Sequence, residues 1–129
     1  MKRVLILDDD GDVLDIMQVA LTYEGFKVTC TDDANDILQL ITNHKPDVLM
    51  VDYLLNGTTG GKVCHQVKEN PETHNLPVIL ISAYPSKMIL PTVCDDFIAK
   101  PFDLDDLVSR IRRWTDGRRN RDLRAVQHG

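Results

Sequence analysis

The 129-residue chain has no apolar run that approaches the roughly 20 residues of a membrane span. It has no signal-peptide core either, because Met1-Lys2-Arg3 leads into a short apolar run, Val4–Leu7, and then into aspartates at 8, 9, 10 and 12. Cysteine is scarce. Cys30, Cys64 and Cys94 are odd in number, far apart and in no C-x-x-C pair, which argues against a disulfide framework or a zinc site and suits a reducing cytoplasm. The four histidines, His44, His65, His74 and His128, lack ligand spacing and are expected on the surface or in helices. No repeat and no low-complexity linker interrupts residues 1–114. With 43% hydrophobic and 27% charged residues, what remains is one globular domain. A chain of this length buries about two-thirds of its unfolded surface without staples.

Charge is unevenly divided. Residues 1–109 hold 8 Lys/Arg and 18 Asp/Glu, net −10, whereas residues 110–129 hold 7 Arg and 2 Asp, net +5. An acidic body disfavours nonspecific binding to nucleic acid and is compatible with a site for a hard cation. Beyond Trp114 apolar periodicity is lost, so residues 115–129 are expected as frayed helix or a basic tail following a domain over 1–114. No output domain fits in that tail.

Five short apolar runs predict strands: Val4–Leu7, Lys27–Cys30, Asp47–Val51, Pro77–Ile81 and Asp96–Ala99. Four are nearly continuous in hydrophobicity, the pattern of strands covered on both faces of a parallel sheet. The second, Lys-Val-Thr-Cys, is more polar and reads as an edge. Helical stripes lie between the runs. Val13, Met17, Ala20 and Leu21 precede a stop at Gly25, and Ala34, Ile37, Leu38 and Ile41 precede Pro46. Val63, Cys64 and Val67 end at Asn70-Pro71, and Leu104, Leu107, Val108 and Ile111 follow an N-cap at Asp103. Alternating βα units imply right-handed crossovers and helices on both faces. The expected fold is α/β and flavodoxin-like, an open parallel five-stranded sheet of order 2-1-3-4-5, with a fourth helix that is short or irregular.

In such sheets ligands bind beyond the carboxyl ends of the strands. Asp8, Asp9 and Asp10 follow strand 1, Asp52 ends strand 3, Ser82 follows strand 4, and Lys100-Pro101 follows strand 5. Carboxylates converging in one crevice repel one another, and a divalent cation relieves that repulsion. All-oxygen ligands favour magnesium, with manganese or calcium as alternatives, over zinc. A lysine and a hydroxyl on neighbouring strands suit the remaining oxygens of a phosphoryl group. The set points to phosphoryl transfer onto a carboxylate. Asp10 and Asp12 are read as the N-cap and first-turn residues of the first helix, where negative charge meets the helix dipole.

Four runs together, Val-Leu-Ile-Leu-Asp8-Asp9-Asp10, Pro-Asp-Val-Leu-Met-Val-Asp52, Val-Ile-Leu-Ile-Ser82-Ala83 and Asp-Asp-Phe-Ile-Ala-Lys100-Pro101-Phe102, resemble the receiver domain of bacterial two-component response regulators over about residues 2–114. The resemblance implies a cytoplasmic phospho-acceptor rather than an enzyme, its partners a sensor histidine kinase or phosphotransfer protein and a downstream protein target. It implies that Asp52 accepts the phosphoryl group and that Mg2+ (or Mn2+) is held by Asp9 directly, Asp8 through water, Asp52 and the backbone carbonyl of Leu54. It further implies that Ser82 and Lys100 contact the phosphoryl group, that Lys100–Pro101 is cis, and that Phe97 is a switch residue coupled to the Ser82 loop.

Two departures stand out. Asn56 and Thr59 replace the family's Pro and Asp in the loop after Asp52, so residues 56–61 are expected to be polar and flexible. Between Ser82 and Lys100, Pro85 and Pro91 leave room for about one helical turn. A calcium loop on Asp8, Asp10 and Asp12 is excluded, because Val13 and Val19 stand where an EF-hand needs Gly and Glu. The run Asp8-Asp9-Asp10-Gly11 also resembles the Asp-x-Asp motif of haloacid-dehalogenase-type phosphohydrolases, in which Asp8 would be the nucleophile. That alternative leaves Asp52 without a role. A second alternative is a receiver-like fold that binds partners without phosphorylation.

Overall fold

A computed structural model describes residues 1–84 and 94–128. Among the described residues, seven strands and four α-helices run in the order β1 (Arg3–Leu7), α1 (Gly11–Tyr23), β2 (Lys27–Thr31), a 3-10 turn (Ala34–Asp36), α2 (Ile37–His44), β3 (Val48–Asp52), β4 (Leu54–Leu55), β5 (Thr58–Thr59), α3 (Gly60–Glu69), β6 (Val78–Ser82), β7 (Asp96–Ala99) and α4 (Leu104–His128). The short or irregular helix expected between Ser82 and Lys100 falls mainly on residues 85–93, outside the described residues.

The main sheet is fully parallel, in the order β2-β1-β3-β6-β7. With the small β4–β5 pair set aside, this is the 2-1-3-4-5 order of a flavodoxin-like fold. The three central strands are buried on both faces, and β2 is the half-exposed edge that its polar sequence foretold. Because side chains alternate along a strand, each strand feeds two cores. Val4, Ile6, Val48, Met50, Ile79, Ile81 and Ile98 face α1 and α4; Leu5, Leu7, Leu49, Val51, Val78 and Leu80 face α2 and α3.

Local chemistry sets the helix ends. Asp10 caps α1 by accepting from the N–H groups of Asp12 and Val13, and the helix closes at Gly25, whose φ of 95° only glycine adopts easily. Leu14, outside the predicted stripe, is buried, whereas Val13 is half-exposed beside it. Asp103 caps α4 through the Asp105 N–H at 3.1 Å. Residues 54–59 differ from the flexible loop expected. Leu54 pairs with Thr59 and Leu55 with Thr58 in an antiparallel hairpin, turned at Asn56-Gly57. Gly57 has φ 77° while Asn56 stays at negative φ, so one positive-φ residue suffices for the turn.

The backbone of α4 beyond Trp114 is helical as far as His128. Its inner face, Leu107, Val108, Ile111 and Thr115, is buried. Asp96 at the start of β7 holds it by accepting from Arg110 at 2.8 Å and from the Trp114 indole at 2.9 Å. Arginine is a good helix former, and Gly117 alone costs only about 1 kcal/mol relative to Ala.

Candidate functional site

Pleat parity gathers the site. Asp8 extends the series Val4, Ile6; Asp52 extends Val48, Met50; Lys100 extends Ile98. All three therefore lie on the α1–α4 side of the sheet, at the carboxyl ends of their strands. In the β1–β3 register Leu7 is paired with Val51, which sets Asp8 beside Asp52. The Lys100 N–H donates to the Ser82 carbonyl at 2.8 Å, continuing the β6–β7 ladder by one residue and bringing the lysine over the same end. Lys100–Pro101 is cis.

The Lys100 ammonium lies 2.8 Å from Asp52 Oδ1 and 3.7 Å from Asp8 Oδ2. Asp8 is only 4% exposed. Burial raises its pKa, and the Asp52 and Asp10 charges add to this, while the Asp10 N–H bonded to Asp8 Oδ1 at 2.9 Å and the Lys100 charge work in the opposite direction. For Lys100, burial opposes the charged form, but its hydrogen bond to Asp52 and the charges of Asp52, Asp8 and Asp10 outweigh it, so its pKa rises. The lysine remains a full cation at neutral pH.

Asp9 is half-exposed, and its Oδ2 accepts from the backbone N–H of Asn56 on the hairpin. Asp10 and Asp12 belong to the start of α1, as capping chemistry requires. Ser82 is buried at the end of β6 and its Oγ accepts from the Tyr84 N–H at 2.9 Å. Asp52, Leu54, Ser82, Ala83, Tyr84 and Lys100 enclose a cavity of about 100 Å³. Leu54 is in β4, its side chain 55% exposed at the rim. Phe97 is half-buried on the α2–α3 side, packed on the core that includes Leu80, its register partner.

Among the described residues no three His, Cys, Asp or Glu side chains are grouped as a metal cage. Magnesium does not require one, since it binds through one or two carboxylates and completes its octahedron with waters and phosphate oxygens. The donor chemistry fits such an ion. Two carboxylates, one deeply buried, converge on a single ammonium, and Asp9 is adjacent in sequence.

The haloacid-dehalogenase reading fares worse. Its acidic pair would be Asp95-Asp96, which sits at the opposite end of β7. Asp95 is occupied there by Lys68 at 2.5 Å and the Val78 N–H at 2.7 Å, and Asp96 by α4.

Three contributors escaped the sequence reading. Gly60 starts α3 against the site, and a Cβ there would lie 2.5 Å from the Asp52 carbonyl oxygen and 2.7 Å from Leu80 Cδ1. The hairpin carrying Asn56 was signalled by its Asn-Gly dipeptide. Tyr53 and Tyr84 pack edge to face, with centroids 6.2 Å apart, and no local pattern announces a pairing between residues so distant in sequence.

The response regulator receiver domain model matches residues 4–112. Among solved structures, one described as a response regulator from Chloroflexus aurantiacus is 30% identical, with a TM-score of 0.81 over 89% of this chain and 98% of that one. A CheY-like receiver domain protein from Methanospirillum hungatei is 26% identical, with a TM-score of 0.84 over 94% and 98%. The response regulator TrrA of Thermotoga maritima, solved in complex with Mg2+-BeF, is 21% identical, with a TM-score of 0.79 over 88% and 99%, and shares the fold.

Proposed function

This chain belongs to the response regulator receiver domain family, and we propose that within it Asp52 accepts a phosphoryl group from a phosphohistidine on a sensor kinase or phosphotransfer protein. The observation that carries this reading is the 2.8 Å contact between Lys100 and Asp52 at the wall of a cavity shared with Ser82. In the transfer, an Asp52 oxygen bonds to phosphorus as the phosphorus–nitrogen bond breaks, and the imidazole leaves with the electron pair. Little covalent work falls to the protein, so positioning and charge neutralisation dominate. Lys100 would pair with the transferred group, and the Ser82 hydroxyl would donate to one of its oxygens. Asp8, Asp9, Asp52 and the Leu54 carbonyl would hold Mg2+, which when bound neutralises charge on the phosphoryl oxygens. Phe97, on the strand beside Ser82, would relay the change to a protein target, with the chain acting in the cytoplasm and promoting only its own phosphorylation and dephosphorylation. Residues 1–114 would form the receiver unit.

Incubation with acetyl phosphate and magnesium should label Asp52, as mapped by mass spectrometry. Asp52→Asn should abolish labelling and leave the circular dichroism spectrum unchanged. Label on Asp8, or undiminished label in the Asp52→Asn protein, overturns the assignment.

A further inference from the structure

A different part of the same cavity points to a residue without an assigned role. Tyr84, two positions past Ser82, lines the cavity with Asp52, Ser82 and Lys100 and is 40% exposed at its rim. Its backbone N–H occupies a lone pair of the Ser82 hydroxyl at 2.9 Å. A serine that accepts in this way keeps its single proton free to donate elsewhere, and its rotamer is set by the donor's position. The position of Tyr84 is in turn set by its ring, which packs edge to face on Tyr53 at 77°, the geometry the aromatic quadrupole favours. Tyr53 is a fixed post. Its N–H donates to the Ile81 carbonyl at 2.8 Å, its carbonyl accepts from the Gly60 N–H at 2.7 Å, and its side chain packs against the α2–α3 core. The ring pair therefore ties the segment after β6 to the residue that follows Asp52, across two adjacent strands.

We propose that Tyr84 is a positioning residue for phosphoryl transfer: clasped by Tyr53, it holds the Ser82 hydroxyl so that its proton faces the incoming phosphoryl oxygen. The inference rests on the phospho-acceptor reading of Asp52 and extends it. Tyr84 acts through Ser82 and supplies no group to the reacting atoms, so its phenol oxygen is dispensable and its ring is not. The reaction that reads this out is transfer from acetyl phosphate. The bond from phosphorus to the acyl oxygen breaks, acetate leaves with the electron pair, and an Asp52 oxygen bonds to phosphorus.

The test compares labelling rates for wild type, Tyr84→Phe, Tyr84→Ala, Tyr53→Ala, Ser82→Ala and the double variant Ser82→Ala/Tyr84→Ala, with magnesium and acetyl phosphate saturating. Tyr84→Ala and Tyr53→Ala should each slow labelling by about three- to tenfold, the range an aromatic pair supplies. Tyr84→Phe should restore the wild-type rate. In the Ser82→Ala background Tyr84→Ala should have no further effect, because the group it positions is gone. A merely structural ring would lower thermal stability without this dependence on Ser82. Equal rates for wild type and Tyr84→Ala, a loss in Tyr84→Phe as large as in Tyr84→Ala, or a full further loss in the double variant each overturn the proposal. If wild type itself takes no label on Asp52, the acceptor reading falls and this inference falls with it. If wild type is labelled, only the role of Tyr84 is at stake.

Discussion

Gly60 shows how tightly the site is built at the scale of one residue. An alanine methyl there meets the backbone oxygen of Asp52, which cannot retreat without moving the acceptor, so Gly60→Ala should destabilise by about 1–3 kcal/mol. A urea titration checks this, and an unchanged midpoint refutes it. Lys100 has the opposite profile. Its ammonium is shared by Asp52 and Asp8 at the mouth of the site, so Lys100→Ala should impair phosphorylation-dependent signalling more than it lowers stability, the fold being retained. Loss of the folded circular dichroism spectrum would contradict this. Cys64 is a third case. Burial first, then the neighbouring Cys94, raises its pKa to about 12. The folded form thus keeps a proton that the unfolded form releases near pH 9, and the thiol's contribution to stability, complete below pH 9, is lost as pH climbs toward 12. At pH 8 the native protein should leave Cys64 unmodified by iodoacetamide, whereas in 8 M urea it should react fully. Native-state alkylation of Cys64, read by mass spectrometry, is the adverse result.

At the scale of elements, the last helix and the last strand behave as one unit. Asp96 accepts from Arg110, from the Trp114 indole and from its own neighbour's N–H, and Arg110 also donates to the Phe97 carbonyl at 2.9 Å. Any shift of Phe97 is thus felt directly by α4. Asp96→Ala leaves the Trp114 indole N–H without its acceptor and takes from Arg110 one partner of three, the Phe97 carbonyl and Asp106 remaining, and should cost about 1–3 kcal/mol. Trp114, the chain's one tryptophan, reports the loss through its fluorescence during urea unfolding. An unshifted unfolding curve would show that the latch is energetically idle. The β4–β5 hairpin has a similar part on the other side, since it brings the Asn56 N–H to Asp9 and delivers Thr59 to cap α3 through the Lys62 N–H at 3.2 Å.

For the molecule as a whole, one sheet divides two cores and belongs to both. Leu21 on α1 and Ile37 at the start of α2 are fully buried on opposite faces. Leu21→Ala and Ile37→Ala should each cost about 2–5 kcal/mol, and each should shift a single transition, because neither face persists once the shared strands separate. Fluorescence and circular dichroism curves that part company in either variant would show two independent units.

Strand positions, the polar edge, the sheet order and the convergence of Asp8, Asp52, Ser82 and Lys100 at one end of the sheet were legible in the chain, because hydrophobic run length and strand-end position depend on local pattern and on topology rules. Asp10 as a cap was legible for the same local reason. Past Trp114 the chain left frayed helix and tail both open, since no apolar stripe remains there, and residues 54–59, whose Asn-Gly dipeptide signals a hairpin, were expected instead as a flexible loop. Register and pleat parity alone set which acids meet the lysine: Asp8 and Asp52 share its charge, while Asp9 turns to the Asn56 amide. The contact of Tyr53 with Tyr84 and the space denied to a methyl at Gly60 are decided only when distant segments are brought together, since both depend on distances between strands that no stretch of the chain encodes by itself.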